Sequence, residues 1–185
     1  MSIIIKNLVT GDPNVTWNPG AVLSVIGTLE LSIGHAAVQK NITRLTIVRR
    51  ADVEDGHWEL FLEGNEGLCV KIDLTVHGYR IIYGAGIPQV TAETDPVQIH
   101  NATLGQMVEC LVTVSTARGD WTGTQLYNCQ DFAVEFMKEL NRQQISTGQG
   151  LSSRSFKYEL MRKVRKNRSP LDWMDTNSIR DLYGL

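Results

Sequence analysis

Residues 57–83 carry the pattern that most limits how this chain can fold. The runs 57–62, 68–75 and 79–83 are rich in apolar, β-branched and aromatic residues, and the segment "GNEG" separates the first two. Short runs of this composition, divided by glycine-containing turns, are typical of antiparallel strands joined by hairpins. The sequence therefore predicts a β-meander, and with it a fold that contains an antiparallel sheet.

The region before the meander contains further strand signals. The segments "SIIIKNL" at 2–8 and "RLTIVRR" at 44–50 carry β-branched residues, and "GDPN" and "NPG" between them are turn signals. The stretch "GAVLSVIGTLELSIGHAAVQK" fits either a long strand or a helix interrupted by Gly27 and Gly34, and we favour the strand. This region is therefore expected to extend the sheet.

The region after the meander combines a loop with a helix. Residues 84–102 contain both prolines of the middle region and are predicted to form a connecting loop. A helix over 104–115 is expected next, because Thr103 and Gln106 form a T-x-x-Q capping box in front of an apolar run. An antiparallel sheet packed against helices places the fold in the α+β class.

A second helix is predicted to begin at Cys129. Asn128 suits the N-cap position, and Asp131 places a negative charge in the first turn, where it complements the helix dipole. Apolar residues recur at helical spacing and define one buried face: Cys129, Phe132, Ala133, Phe136, Met137 and Leu140. Because cysteine is among the most buried residue types, a packing role is one explanation for Cys129.

Length and composition fit one soluble globular domain with an appended tail. The chain has 185 residues, of which 42% are hydrophobic, and a net charge of −2. We expect a domain over 1–145 and a tail over 146–185 that ends in a short docked helix. Seven Lys and Arg residues between 154 and 168 predict a basic amphipathic helix, which suits an acidic partner. The overall charge gives no reason to expect nucleic acid as a partner.

The cysteines and the motif search narrow the possible chemistry. Cys69, Cys110 and Cys129 show no disulfide framework, which indicates reduced thiols and a cytoplasmic setting. No stretch of the sequence is long and apolar enough to span a membrane. Neither C-x-x-C nor H-x-x-x-H occurs, so no metal site is predicted, and without a G-x-G-x-x-G or Walker-type loop no cofactor is expected.

Cys129 is also a candidate nucleophile. The free N–H groups and the positive dipole end at a helix start favour a thiolate over a thiol, and the same N–H groups can stabilise an oxyanion. His57 is the best candidate base, because it opens a predicted strand whose end can face a helix N-terminus. The other histidines, His35, His77 and His100, have less defined surroundings.

A third polar group should orient the imidazole of His57. If the hairpin turns around Asn65, Asp73 lies opposite or diagonal to His57. A slip of one residue in the register brings Lys71 or Leu74 to that position instead. Asp73 is therefore the expected third group, with Lys71 and His77 as alternatives.

The segments "HWELFL" and "NCQDF", in this order, resemble a known pair of motifs. The first lies on a predicted strand that a Gly-rich turn follows, and the second begins a predicted helix. Together they are similar to the circularly permuted NlpC-like branch of the papain-fold superfamily, which includes the lecithin:retinol acyltransferase-like proteins. The resemblance covers residues 55–140 and implies a permuted papain-like α+β architecture.

The same resemblance implies roles for individual residues. His57 matches the base and Cys129 the nucleophile, while Asn128 and Phe132 match flanking positions of the second motif. The expected substrate-binding positions adjoin these residues: Trp58, Tyr127 and Asn128. Asp131 stands where the acyltransferase-like proteins commonly have a histidine, and Asp73 or Lys71 replaces a histidine on the next strand. The membrane-associating segment of those proteins has no counterpart here, which favours a soluble substrate.

The leading prediction is thiol-dependent acyl chemistry on an amide, ester or thioester of a small molecule or peptide. Water as the second acceptor makes such an enzyme a hydrolase, and an amine or alcohol makes it an acyltransferase. Two alternatives share the fold. One is a catalytically inactive relative that serves as a binding or interaction module, and the other is a metabolite-binding protein that promotes rearrangement or cyclisation.

Overall fold

A computed structural model describes residues 2–49, 57–75, 77–87, 92–93, 97–117 and 129–146. Several expectations fall on other parts of the chain and so lie outside the described residues: Tyr127, Asn128, the basic helix at 154–168 and the docked end of the chain. Within the described residues the protein has eight strands, four α-helices and one short 3₁₀ turn.

In chain order the elements are β1 (Ile3–Asn7), β2 (Val15–Trp17), α1 (Val25–Ile33), α2 (His35–Val38), β3 (Asn41–Arg49), β4 (Trp58–Gly64), a 3₁₀ turn (Asn65–Gly67), β5 (Cys69–Thr75), β6 (Gly78–Tyr83), β7 (Ala92–Glu93), β8 (Val97–Thr103), α3 (Leu104–Ala117) and α4 (Cys129–Arg142). The predicted meander is confirmed as β4, β5 and β6, and the predicted helix starts at Leu104 and Cys129 are confirmed as well.

All strands join one sheet in the order β2-β1-β6-β5-β4-β3-β7, and β8 pairs with β3 as well. Every pairing between these strands is antiparallel except that of β1 with β6, which is parallel. The α+β class with a mostly antiparallel sheet is thus confirmed. The meander occupies the middle of the sheet, where both edges of β5 are paired.

Alternating residues of the central strands divide between the two faces of the sheet. On β4, Trp58 and Leu60 belong to the apolar core, which also contains residues of α1, α3 and α4. In that core the ring of Phe132 from α4 meets Tyr79 of β6 edge-on, with ring centroids 5.0 Å apart. Glu59 lies on the other face of β4 and is also buried.

The structure corrects the strand expected in "GAVLSVIGTLELSIGHAAVQK". This stretch forms α1 and α2, and α1 buries Val25, Thr28 and Leu29 at helical spacing. Its N-cap is Ser24, whose side chain accepts a hydrogen bond from the Gly27 N–H at 3.0 Å. Gly34 separates the two helices at a φ of 89°, a conformation that glycine adopts without strain.

The loop expected over 84–102 is corrected in part. Val97 to Thr103 form β8, which pairs with the first half of β3, while the two residues of β7 pair with its second half. Partnership with β3, rather than composition, makes this segment a strand. The capping box of α3 is confirmed, because the Thr103 N–H donates to Gln106 Oε1 at 2.8 Å and the Gln106 N–H donates to Thr103 Oγ1 at 3.3 Å.

Candidate active site

Cys129 is the first residue of α4 and is half-buried at the edge of the apolar core. The residues that follow at helical spacing, including Phe132 and Phe136, are buried in that core and anchor the helix against β4 and β5. This anchoring brings the start of α4 to the start of β4, where the Trp58 backbone N–H donates to Cys129 Sγ at 3.4 Å. Like Cys69 and Cys110, Cys129 is a free thiol.

His57 immediately precedes β4 and lies next to Cys129. Its side chain is 21% exposed, and its Nε2 is 3.8 Å from Asp73 Oδ2, an ion-pair distance. The ring also interacts with the sulfur of Cys129. The candidate nucleophile, base and third group are therefore neighbours, although they come from separate parts of the chain.

The register of the β4–β5 hairpin explains why Asp73 meets His57. Asp73 is directly opposite Glu59, two residues beyond His57, so Asp73 is diagonal to His57 on the same face. The slip that would bring Lys71 or Leu74 to this place does not occur. His77 is exposed in the β5–β6 turn, where its N–H donates to Thr75 Oγ1.

Electrostatics favour charged forms of both His57 and Asp73. The interaction with Asp73, followed by that with Cys129, outweighs burial and raises the pKa of His57 to about 9. Burial raises the pKa of Asp73, but His57, Arg80 and Lys71 together outweigh it and hold that pKa well below its usual range. At neutral pH the pair is therefore an imidazolium beside a carboxylate.

Sequence reasoning missed the charged groups that surround Asp73. Arg80 donates to Asp73 through Nε and Nη2 at 2.8 and 2.5 Å, and Lys71 Nζ is 3.4 Å from Asp73 Oδ2. Lys71 also donates to Glu59 Oε1 at 2.6 Å. Lys71, an alternative third group at first, is thus a partner of Asp73. The sequence contains a signal for this contact, because a hairpin that turns just before "GYRIIY" places Arg80 opposite Asp73.

Three side chains of the site are close enough together to coordinate a metal ion. Ligand atoms of His57, Glu59 and Asp73 lie within 4.8 Å of one another. However, Lys71 and Arg80 already place positive charge on these carboxylates at contact distance. A divalent cation would have to displace them against charge repulsion, so the donor set suits an ion-paired cluster better than a metal centre.

The structure gives Trp58 a different position from the substrate-facing one expected. Its indole is 2% exposed and belongs to the core, on the face of β4 opposite Glu59. Its contribution to the site is the backbone N–H that contacts Cys129. Away from the site, His35 pairs with Glu30 at 2.7 Å, and His100 is exposed on β8.

Comparisons of the chain with models of protein families, with curated proteins and with solved structures found no match. Among the described residues, no helix has the length and apolar character needed to cross a membrane. Function must therefore be inferred from the contacts that join Cys129, His57 and Asp73.

Proposed function

We propose that the chain is a thiol-dependent enzyme of acyl chemistry with a permuted, NlpC-like papain fold. One observation carries the proposal: the Cys129 sulfur, at the start of a helix, interacts with an imidazole that has a buried carboxylate beside it. Nucleophile, base and orienting group in this relation form a catalytic triad in its general sense. The same three residue types scattered over a surface would carry no such meaning.

The reaction begins when Cys129 Sγ attacks the carbonyl carbon of an amide, ester or thioester. Before the attack, the thiol proton has passed to His57, which is therefore the imidazolium described above. A C–S bond then forms and the carbonyl π electrons move to oxygen. Because Nε2 faces Asp73, Nδ1 is the nitrogen available for the proton transfer. Backbone N–H groups in the first turn of a helix point toward its N-terminal end, and those of α4 are therefore suited to stabilise the oxyanion. The tetrahedral intermediate then collapses, the bond to the leaving group breaks, and the imidazolium protonates that group.

The second half of the reaction releases the acyl group from Cys129. Water, an amine or an alcohol gives a proton to His57 and attacks the thioester carbonyl. The C–S bond breaks, and the thiolate leaves beside the imidazolium, which restores the starting state. Water makes the protein a hydrolase, and an amine or alcohol makes it an acyltransferase. We propose a soluble substrate, and three free thiols support a reducing, cytoplasmic compartment.

Asp73 supports His57 in both halves. Its negative charge stabilises the imidazolium, and its fixed place on β5 holds the ring in one orientation. The separation of 3.8 Å between Nε2 and Oδ2 is longer than a hydrogen bond. Catalytic hydrogen bonds are often long in the free enzyme and shorten when substrate is bound. We expect this shortening here.

Thiol alkylation tests the proposal most directly. Purified protein is treated with limiting iodoacetamide at neutral pH, and mass spectrometry follows modification of each cysteine. Cys129 is expected to react at least about tenfold faster than Cys69, which is half-buried to a similar extent. Burial, together with the nearby Glu63, raises the pKa of Cys69, so its thiol stays protonated. Cys110 is a slower reference, since burial raises its pKa to about 12.

Two variants separate activation from exposure. His57→Ala is expected to remove the excess reactivity of Cys129. His35→Ala, which removes an exposed contact with Glu30 that involves none of Cys129, His57 and Asp73, is expected to preserve it. A screen of amide, ester and thioester donors should then give an acyl adduct on the peptide that contains Cys129. If Cys129 and Cys69 react alike in the wild-type protein, the enzyme proposal is wrong and the binding-module alternative takes its place.

A further inference from the structure

The carboxylate of Asp73 is held by a two-pronged contact from the neighbouring strand. Asp73 and Arg80 are directly opposite each other on β5 and β6. The Nε and Nη2 atoms of Arg80 donate to the two different oxygens of Asp73, at 2.8 and 2.5 Å. Two parallel hydrogen bonds fix the plane of a carboxylate as well as its position, which a single contact does not do. Arg80 therefore sets the rotation of the Asp73 side chain.

That rotation decides which groups Asp73 can serve. Oδ2 is the oxygen that faces both Lys71 Nζ, at 3.4 Å, and His57 Nε2, at 3.8 Å. Without the two hydrogen bonds from Arg80, the carboxylate is free to turn toward Lys71. The Lys71 ammonium is nearer to Oδ2 than the His57 ring is, and it is a strong hydrogen-bond donor. The contact with His57 would then weaken. Among the described residues, only Arg80 donates hydrogen bonds to both oxygens of Asp73.

We propose that Arg80 is a positioning residue of the site, which holds the Asp73 carboxylate in the orientation that serves His57. The inference rests on the proposed function, because positioning matters only if His57 acts on Cys129. The hydrogen bonds of Arg80 go to Asp73, so its effect on His57 passes through that carboxylate. A buried carboxylate needs a positively charged partner, and Arg80 is such a partner for Asp73.

Charge alone does not account for the arrangement. Lys71 already supplies a positive charge near Asp73, and Glu59 balances part of it. A second lysine in place of Arg80 would neutralise the carboxylate equally well. Only a planar guanidinium can engage both oxygens at once, so the proposal predicts that an Arg-to-Lys change is not conservative here.

The test compares Arg80→Lys with Arg44→Lys. Arg44 is a matched control, because it also pairs across strands with a carboxylate, Glu63, at 3.2 Å, but away from His57. NMR titration of the His57 ring and the alkylation rate of Cys129 are measured in the full chain. Arg80→Lys is expected to lower the pKa of His57 by about one pH unit and to slow Cys129 alkylation at neutral pH by up to about tenfold. Arg44→Lys is expected to leave both unchanged.

A double variant shows whether Arg80 acts through Asp73. Asp73→Asn alone should lower the pKa of His57, and adding Arg80→Lys should produce no further change. The positioning role is overturned if Arg80→Lys, folded by circular dichroism, keeps the wild-type titration of His57, or if its effect persists in the Asp73→Asn background. Failure of the proposed function is a separate result, because it appears as ordinary reactivity of Cys129 in the wild-type protein, whatever the titration of His57.

Discussion

The raised pKa of His57 predicts that the stability of the fold depends on pH. In the unfolded chain this histidine has an ordinary pKa of 6.5, and in the folded protein the value is about 9. A group whose pKa rises on folding stabilises the folded state fully below the unfolded value and loses that contribution as pH rises through the folded value. The free energy of unfolding is therefore expected to fall between about pH 6.5 and pH 9.

The size of the effect follows from the two pKa values. A difference of about 2.5 corresponds to about 3 kcal/mol, and solvent around the partly exposed ring reduces this further. Urea unfolding of the wild-type protein and of His57→Gln, at several values from about pH 6 to about pH 10, isolates the contribution. The difference in unfolding free energy between the two proteins should shrink by up to about 3 kcal/mol as pH rises.

A control variant tests whether the effect belongs to His57 or follows any change of histidine to glutamine. His77 is exposed in a turn, so His77→Gln is expected to follow the wild-type pH profile in parallel. The reasoning about His57 is refuted if the difference between wild type and His57→Gln stays constant, within about 0.5 kcal/mol, across the whole range. Such a result would mean that the carboxylate of Asp73 does not stabilise the imidazolium.

Four further predictions concern stability and are checked by urea unfolding. Phe132→Ala should cost about 3 to 5 kcal/mol, because its fully buried ring packs against two aromatic neighbours. Thr103→Ala should cost about 1 kcal/mol, since it removes one half of the capping box of α3. Gly64→Ala should cost about 2 kcal/mol, because a Cβ there would clash with the backbone carbonyl of Asn41. By contrast, Gly27→Ala should stabilise α1 by about 0.5 to 1 kcal/mol, since its Cβ would make only an ordinary contact.

Elements with a clear local signal could be predicted from the sequence. The meander is predicted by its apolar runs and a glycine-rich turn, and α4 is predicted by the helical spacing of its apolar residues. α1 was mistaken for a strand because two glycines interrupt a segment rich in β-branched residues. Its decisive signals were the Ser24 cap and the glycine between the helices, which are local but easily overlooked. β8 had no local signal, because pairing with β3 makes it a strand.

The candidate site was predictable to the same extent. Cys129 begins a helix as the local pattern predicted, and Asp73 takes the diagonal position of the hairpin. His57 was expected to open a strand and lies one residue before it. Arg80 and Glu59 were missed because their importance depends on the register across three strands, which residue type alone does not give. The core position of Trp58 was missed for a related reason, since a residue next to a functional one in sequence points to the opposite face of a strand.

The long sequence separation between Trp58 and Cys129 has a consequence for the order in which the protein folds. They are 71 residues apart, while β4, β5 and β6 pair with immediate neighbours in the chain. Local hairpins assemble quickly, whereas closing a long loop costs entropy that is recovered only when its ends have docked. Under the proposed function, a refolding chain should thus carry an intact meander while Cys129 still reacts at the rate of an ordinary thiol. Pulses of alkylating reagent during refolding would then show when α4 docks, because the reactivity of Cys129 is expected to rise only in that late step.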